Sequence, residues 1–173
     1  MERCLFCDTQ CGLIPVVGGP IYADDLVYAY HASSVDGPTY LGHLLLVTRR
    51  HAADFADLTA AEAQAVGLLI ARLSAALKAC AGAEKVYAVF YGEVTPHLHI
   101  HLTARYPQMP DAYLRWHIED WPDAPSGDAD AIAALCQRLR DALGMVAGTD
   151  TGGTGGSITP AGSAAPRDSA RRP

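Results

Sequence analysis

Short stretches in which apolar side chains alternate with polar or small ones predict a β-sheet in the first two thirds of the chain. Five of these stretches are rich in β-branched and aromatic residues, and they predict strands at residues 21–23, 26–31, 43–48, 86–91 and 98–103. Asp24 and Asp25 separate the first two stretches and suit a hairpin turn.

Two further segments repeat apolar residues at the spacing of a helix. The first begins after Thr59 and Glu62, which form a capping box, and its apolar stripe is Val66, Ile70, Leu73 and Leu77. The second begins near Asp128, and we expect it to end at Gly144. Its apolar stripe is Ile132, Leu135, Leu139 and Leu143. Short connections between most strands predict an α+β domain of about five antiparallel strands with two helices on one face.

The composition divides the chain into a domain and a tail. Residues 1–143 contain the predicted elements and are expected to form one domain. Residues 144–173 are rich in Gly, Ser, Thr, Ala and Pro and have few large apolar side chains. Because such a segment buries too little surface to offset the entropy of ordering, we expect it to be a disordered tail.

The charge balance and the apolar runs limit the classes of partner. The chain has 13 basic and 19 acidic residues, and its few clustered arginines lie near the C-terminus, so nucleic-acid binding is not expected. No apolar run approaches the roughly 20 residues that span a bilayer, and the N-terminus lacks the pattern of a signal peptide. These features predict a soluble cytoplasmic protein that has a small-molecule partner and makes no contact with a membrane.

The segment His97-Leu-His99-Ile-His101-Leu-Thr carries the most informative pattern in the chain. Side chains alternate faces along a strand, so the three imidazoles are expected on one face and the leucines and isoleucine in the core. Such a row of histidines is rarely needed for packing. Either the three rings share a catalytic metal, or one ring is a nucleophile whose neighbours bind charged oxygens.

This segment resembles the signature of the histidine triad, or HIT, superfamily. The similarity extends over most of residues 1–143, because Cys4-Leu-Phe-Cys7, the hairpin at residues 21–25, the segment from Gly42 to His51 and the intervening helix follow in the same order. The resemblance implies an antiparallel sheet, a homodimer, and hydrolysis or transfer at the α-phosphate of a nucleotide. The family's substrates include dinucleoside polyphosphates and nucleoside phosphoramidates.

The resemblance also assigns roles to individual residues. His99, the middle histidine, matches the family's nucleophile, which forms a covalent nucleotidyl-histidine intermediate. His101 and His43 match histidines that bind phosphate oxygens. Glu93 falls where many members carry Gln or Asn in contact with the substrate.

Three of the five cysteines lie within the first dozen residues. By itself, Cys4-x-x-Cys7 suits either a zinc site or thiol redox chemistry. In the zinc-bearing branch that the chain resembles, the other two ligands match His51 and His97. A Cys2His2 site is closed, so the zinc would be structural. Cys11 lies outside this pattern and is expected to be a spare thiol.

Some positions differ from the family pattern. Ala32 stands where many relatives have an acidic residue that binds the ribose, and Val94 stands where a hydroxyl side chain is common. Because of these differences, a second possibility is a binding module that has the fold but no catalytic activity. A third is a metal-dependent hydrolase in which His97, His99 and His101 hold the metal. The aromatic segment at residues 106–122 suits a cover for the site or a dimer contact as well as plain surface packing.

Overall fold

A computed structural model of the chain describes residues 3–34 and 37–147. Within these residues the strands are β1 Tyr22–Ala23, β2 Val27–His31, β3 Thr39–Tyr40, β4 His43–Thr48, β5 Lys85–Val89, β6 His99–Arg105 and β7 Ser126–Gly127. The α-helices are α1 Leu5–Gln10, α2 Ala60–Ala81 and α3 Ala129–Ala147.

Five strands form the central antiparallel sheet in the spatial order β1-β2-β4-β6-β5. The predicted hairpin turn forms because the carboxylate of Asp24 accepts hydrogen bonds from the backbone N–H groups of Leu26 and Val27, each at 2.8 Å. A second sheet pairs only β3 with β7. The α+β class and the five-stranded antiparallel sheet are therefore as predicted.

Helices α2 and α3 cover one face of the large sheet. The predicted capping box of Thr59 and Glu62 begins α2, and Gly82 ends it with a φ of 73°, a conformation that glycine adopts without strain. Leucine, isoleucine and valine side chains from β2, β4 and β6 pack against both helices and form the main hydrophobic core. Each strand consequently directs every second side chain into this core.

Among the described helices, α2 has 22 residues and, judged by length and composition alone, could cross a membrane. Its buried face includes Val66, Leu69, Leu73 and Leu77, and these side chains belong to the main core. The helix therefore packs as the core helix of a folded domain.

The opposite face of the sheet is partly covered by the N-terminal segment. Phe6 of α1 is buried there in a smaller cluster with Tyr28, Tyr30 and Val47. The side chains of His43, His99 and His101 lie on this face of the sheet. We call it the histidine face.

Two features of the helices differ from the sequence predictions. Helix α1 was not predicted, because six residues are too few to show helical periodicity. Helix α3 continues through Gly144 to Ala147, so the predicted end at Gly144 is wrong. An exposed glycine lowers helix propensity by about 1 kcal/mol, which is too little by itself to end a helix. The remainder of the predicted tail, residues 148–173, lies outside the described residues.

Candidate active site and metal centre

A tight turn places His43 at the beginning of β4. Gly42 has a φ of 87°, and a Cβ at this position would lie 2.8 Å from the Cβ of Ala104, so glycine is required. The backbone N–H of Gly42 donates to Nε2 of buried His31 at 2.9 Å, and Nδ1 of His31 donates to the carbonyl of Ala32. Burial lowers the pKa of His31 to about 4, so this ring stays neutral and keeps its role as an acceptor.

His43 on β4 and His101 on the neighbouring strand β6 contact each other. Nε2 of His43 lies 2.9 Å from Nδ1 of His101, so one of these nitrogens donates a hydrogen bond to the other. Because His43 lies opposite Thr103 in the ladder, its ring reaches the same face as the side chain of His101. The pair forms a polar surface at the centre of the histidine face.

His99 lies next to this pair, with its ring centre 5.3 Å from that of His101. Nδ1 of His99 lies 2.7 Å from the carbonyl oxygen of His97. Because a carbonyl only accepts, Nδ1 carries a proton, and in the neutral ring Nε2 then keeps a lone pair. Phe6 stacks on the ring at 4.3 Å and Phe90 meets it edge-on at 5.9 Å, which restricts its rotation.

His97 is fully buried and faces the N-terminal segment. Its Nε2 donates to the carbonyl of Thr48 at 2.8 Å, which leaves Nδ1 unprotonated. Nδ1 in turn lies 3.3 Å from Sγ of Cys4 and 3.5 Å from Sγ of Cys7. Burial lowers the pKa of His97, so the ring is in the neutral form that binds metals.

Cys4, Cys7, His51 and His97 form a cluster whose ligand atoms all lie within 4.8 Å of one another. Nδ1 of His51 lies 3.5 Å from Sγ of Cys7. Tetrahedral zinc with Zn–S bonds of ~2.3 Å and Zn–N bonds of ~2.0 Å requires edges of roughly 3.3–3.8 Å. The three sulfur–nitrogen separations of 3.3, 3.5 and 3.5 Å agree with that requirement. The hydrogen bond from His97 to Thr48 is the outer-shell contact that orients a ligating imidazole.

Burial and the neighbouring Cys4 raise the pKa of the Cys7 thiol to about 11. A metal ion must therefore displace a proton from this thiol when it binds. Two thiolates and two neutral imidazoles are a donor set typical of zinc. The four residues present thus fit the group that the sequence pattern implies.

A cavity of about 490 Å³ adjoins the histidine face. His43, His101 and Thr103 form its floor, and residues of β5 and of the segment 115–120 form its walls. A second cleft, of about 570 Å³, lies beside the metal cluster and is lined by Cys4, His51 and residues 94–96, among others. The first cavity is more apolar and lies directly beside the histidine pair.

A comparison with models of protein families shows which family the chain belongs to. The model of the HIT domain matches residues 19–108, which is more than half of the chain. The chain belongs to the HIT family. No curated protein matches the sequence at a significant level.

Solved structures of HIT proteins share the fold. A HIT-like protein from Bartonella henselae is 18% identical, with a TM-score of 0.63, 82% of this chain covered and 97% of that one. A hypothetical histidine triad nucleotide-binding protein from Sulfolobus tokodaii is 17% identical, with a TM-score of 0.63 and coverages of 83% and 93%. A zinc-bound histidine triad family protein from Mycobacterium smegmatis is 19% identical, with a TM-score of 0.62 and coverages of 86% and 98%.

Seven of the eight residues that the sequence singled out lie in two neighbouring groups of this HIT chain. The catalytic candidates are His43, His99 and His101, and the metal candidates are Cys4, Cys7, His51 and His97. Glu93 is exposed in the loop between β5 and β6, and its contact with substrate stays a prediction.

The structure also reveals residues that the sequence did not indicate. Phe6 and Phe90 flank the ring of His99, although each is separated from it in the chain. Arg115, Ile118 and Asp120 reach the cavity beside His101. The aromatic composition of residues 106–122 was the one available signal for this contribution.

Proposed function

We propose that this HIT protein is a nucleotide hydrolase or nucleotidyltransferase in which Nε2 of His99 attacks the α-phosphorus of its substrate. The observation that supports this proposal is the hydrogen bond of 2.7 Å from Nδ1 of His99 to the carbonyl of His97. That bond places the proton on Nδ1 and leaves a lone pair on Nε2, which is the form of imidazole that acts as a nucleophile.

The first step forms a bond between Nε2 of His99 and phosphorus. The bond from phosphorus to the leaving oxygen or nitrogen breaks, and the leaving group keeps the electron pair and takes up a proton. In the second step water or another acceptor attacks phosphorus and gives up a proton, which balances the proton taken up by the leaving group. The bond to Nε2 then breaks and the nucleotide is released. Dividing the displacement in this way replaces one high barrier with two lower ones.

His101 and His43 suit the stabilisation of negative charge on the phosphate. When His43 donates from Nε2 to Nδ1 of His101 across the 2.9 Å contact, Nε2 of His101 carries a proton and can donate to a phosphate oxygen. Donors placed where charge develops lower the barrier to the attack. His43 therefore acts mainly by setting the tautomer of His101.

The cluster of Cys4, Cys7, His51 and His97 fits a structural zinc ion. Zinc bound by these four side chains would supply a cross-link between α1 and the beginning of β6, with no vacant coordination position. The carbonyl oxygen of His97 also accepts the hydrogen bond that Nδ1 of His99 donates. The residues of the metal cluster thereby hold the backbone that orients the nucleophile.

Intact-protein mass spectrometry tests the proposal. The protein is mixed with an adenosine 5′-phosphoramidate and quenched without acid, since a phosphorus–nitrogen bond to histidine is labile in acid. We expect an added adenylyl mass that is absent from His99→Ala and present in the control Leu68→Ala, which alters an exposed position on α2.

Two outcomes would contradict this assignment. An adduct that persists in His99→Ala would place the covalent bond on another residue. Nucleotide binding with neither adduct nor turnover would instead support a binding module. Ala32 favours that second candidate, because its backbone N–H bonds to the carbonyl of His43 and its methyl group offers no acceptor for a ribose.

A further inference from the structure

The cavity beside the histidine pair extends away from the proposed nucleophile. The side chains of His99, His101 and Thr103 follow one another along the same face of β6. Of these three residues, His101 and Thr103 line the cavity and His99 does not. A phosphate held at His101 therefore has His99 on one side and the cavity on the other.

Aromatic and aliphatic side chains form most of the cavity wall. Tyr87 and Val89 contribute from β5, Tyr91 from the following loop, and Ile118 from the segment after β6. A volume of about 490 Å³ is within the range of pockets that enclose small organic ligands, roughly 300–1,000 Å³. The wall favours a planar apolar group, since aromatic faces and aliphatic carbons gain from removing such a group from water.

The charged residues of the cavity balance each other. Arg115 and Asp120 both line it, and they contribute one positive and one negative formal charge. A chain of several phosphate groups would meet the carboxylate of Asp120 without a surplus of cationic side chains to neutralise it. The cavity is therefore poorly suited to a polyphosphate.

The backbone of Arg115 gives a second indication that this segment has a specific role. Its φ of 66° is rare for a residue other than glycine, because a side chain there crowds the backbone. Such conformations persist where the surrounding structure enforces them, and they are common at ligand sites. The turn at Arg115 leads directly into the stretch that provides Ile118 and Asp120 to the cavity.

We propose that this cavity binds the leaving group of the substrate and selects an aryl group that carries no negative charge. The inference rests on the proposed function, because in an in-line displacement the leaving group lies on the side of phosphorus opposite the attacking Nε2 of His99. It favours nucleoside phosphoramidates and esters with aromatic leaving groups over dinucleoside polyphosphates.

Binding measurements on the His99→Ala protein separate the cavity from the chemistry, since this protein leaves the substrate intact under the proposed function. The probes are adenosine 5′-phosphoramidates whose nitrogen carries a 2-phenylethyl group or a methyl group. By calorimetry we expect the phenylethyl compound to bind about tenfold tighter or more, because a buried phenyl ring contributes favourably to binding.

Two second substitutions in the His99→Ala background locate this preference. Ile118→Ala and Val89→Ala each shorten an aliphatic side chain that lines the cavity, and each should reduce the ratio of the two affinities by about threefold or more. Leu68→Ala removes a leucine that is 61% exposed on α2, and it should leave the ratio unchanged. A retained ratio in both cavity variants would place the phenyl group elsewhere and overturn the inference.

Diadenosine tetraphosphate tests the selection by charge. It should bind the His99→Ala protein more weakly than the phenylethyl compound. Adding Asp120→Asn should strengthen its binding by about threefold or more, since a like charge is removed. Tighter binding of the tetraphosphate than of the phenylethyl compound would contradict the proposed selectivity.

The failure of this inference differs from the failure of the proposed function. Equal affinity for the phenylethyl and methyl compounds overturns the cavity assignment, even where the His99 adduct forms normally. A preference for the phenylethyl compound that depends on Ile118 and Val89, without any adduct in the wild-type protein, supports the cavity and contradicts the covalent mechanism.

Discussion

His97, just before β6, and His99, its first residue, differ in the groups that their two ring nitrogens contact. His97 uses Nε2 for the carbonyl of Thr48 and directs Nδ1 toward two cysteines. His99 uses Nδ1 for the carbonyl of His97, which frees Nε2. Identical side chains two residues apart are therefore suited to different tasks, because their backbone acceptors hold different tautomers.

Substitution of these histidines should produce graded effects. His99→Ala removes the attacking atom and should lower turnover by roughly three or more orders of magnitude, with zinc content unchanged. His101→Ala and His43→Ala should each cost roughly tenfold to a thousandfold, because they remove stabilisation of the phosphate and not the nucleophile. Turnover of a phosphoramidate and metal content, measured for each variant, check this order. Joint loss of metal and activity in the His99 and His101 variants would favour a shared catalytic metal.

Glu62 provides a stability prediction that depends on pH. Its carboxylate accepts hydrogen bonds from Arg50 at 2.7 and 2.9 Å and from the N–H of Thr59 at 2.8 Å, and these contacts hold its pKa at about 2. A carboxylate with a lowered pKa stabilises the folded state above its ordinary pKa, and this contribution is lost as the pH falls toward 2.

Glu62→Gln should lower the free energy of unfolding by about 1–2 kcal/mol at pH 7, a modest figure because Arg50 is half exposed. The difference from wild type should shrink between about pH 4.5 and pH 2, as urea unfolding at several pH values would show. Glu84→Gln is a suitable control, because its carboxylate pairs with Arg105 at the surface and should contribute little. A difference that stays constant down to pH 2 would show that the charge of Glu62 does not matter.

Among the elements, α1 has the least support of its own. It has six residues, its N-cap Cys4 makes no side-chain capping bond, and an isolated helix of this length is not stable in water. Burial of Phe6 and the metal cluster at Cys4 and Cys7 hold it against the sheet. The element that covers the nucleophile is thus the element that a metal would fasten.

Zinc removal should release α1. Metal analysis of the purified protein should give about one zinc per chain, and a chelator should lower the melting temperature and speed amide exchange in residues 3–11. Cys7→Ser should lose zinc, whereas Cys11→Ser should keep it, since Cys11 is exposed and lies outside the cluster. Full stability in chelator together with a negligible zinc content would contradict the site.

The stacking of Phe6 on His99 predicts a positioning effect. Phe6→Leu keeps an apolar side chain in α1 but removes the ring that stacks at 4.3 Å, so we expect adduct formation to slow by about tenfold while zinc content stays unchanged. Leu5→Ala, at an exposed neighbouring position, serves as the control. Single-turnover kinetics measure the rate, and an unaltered rate in Phe6→Leu would show that the stack does not orient the nucleophile.

At the scale of the whole molecule, the described sheet ends in β1 on one side and β5 on the other. The outer edges of these strands offer unpaired backbone groups that a second copy could bind or cover. The homodimer that the family resemblance implies therefore stays a prediction with a physical basis. One of these edge strands, β5, also lines the cavity beside His101.

Sedimentation should show a dimer at micromolar concentration for the full chain and for a chain shortened to residues 1–147. We expect no effect of the shortening, because residues 148–173 contain few apolar side chains that could stabilise an interface. A monomer in both cases would refute the homodimer, and a dimer only in the full chain would assign assembly to the C-terminal segment.

The sequence by itself determined the class of the fold and the family. The alternation along residues 97–103 and the capping box at Thr59 are local patterns whose periodicity follows from backbone geometry. For this reason five strands and two of the three helices were predicted to within a few residues. The end of α3 was not, because a single glycine such as Gly144 lowers helix propensity too little to end a helix by itself.

The metal candidates were predicted from family spacing, but their proximity depends on the fold. Cys4 and His97 are separated by more than ninety residues, and only the docking of α1 on the sheet brings their side chains to 3.3 Å. The tautomers of His97 and His99, the stack of Phe6 and the cavity walls from residues 115–120 were likewise decided by tertiary structure. They depend on which backbone carbonyls and rings meet across the sheet, and no local periodicity encodes such contacts.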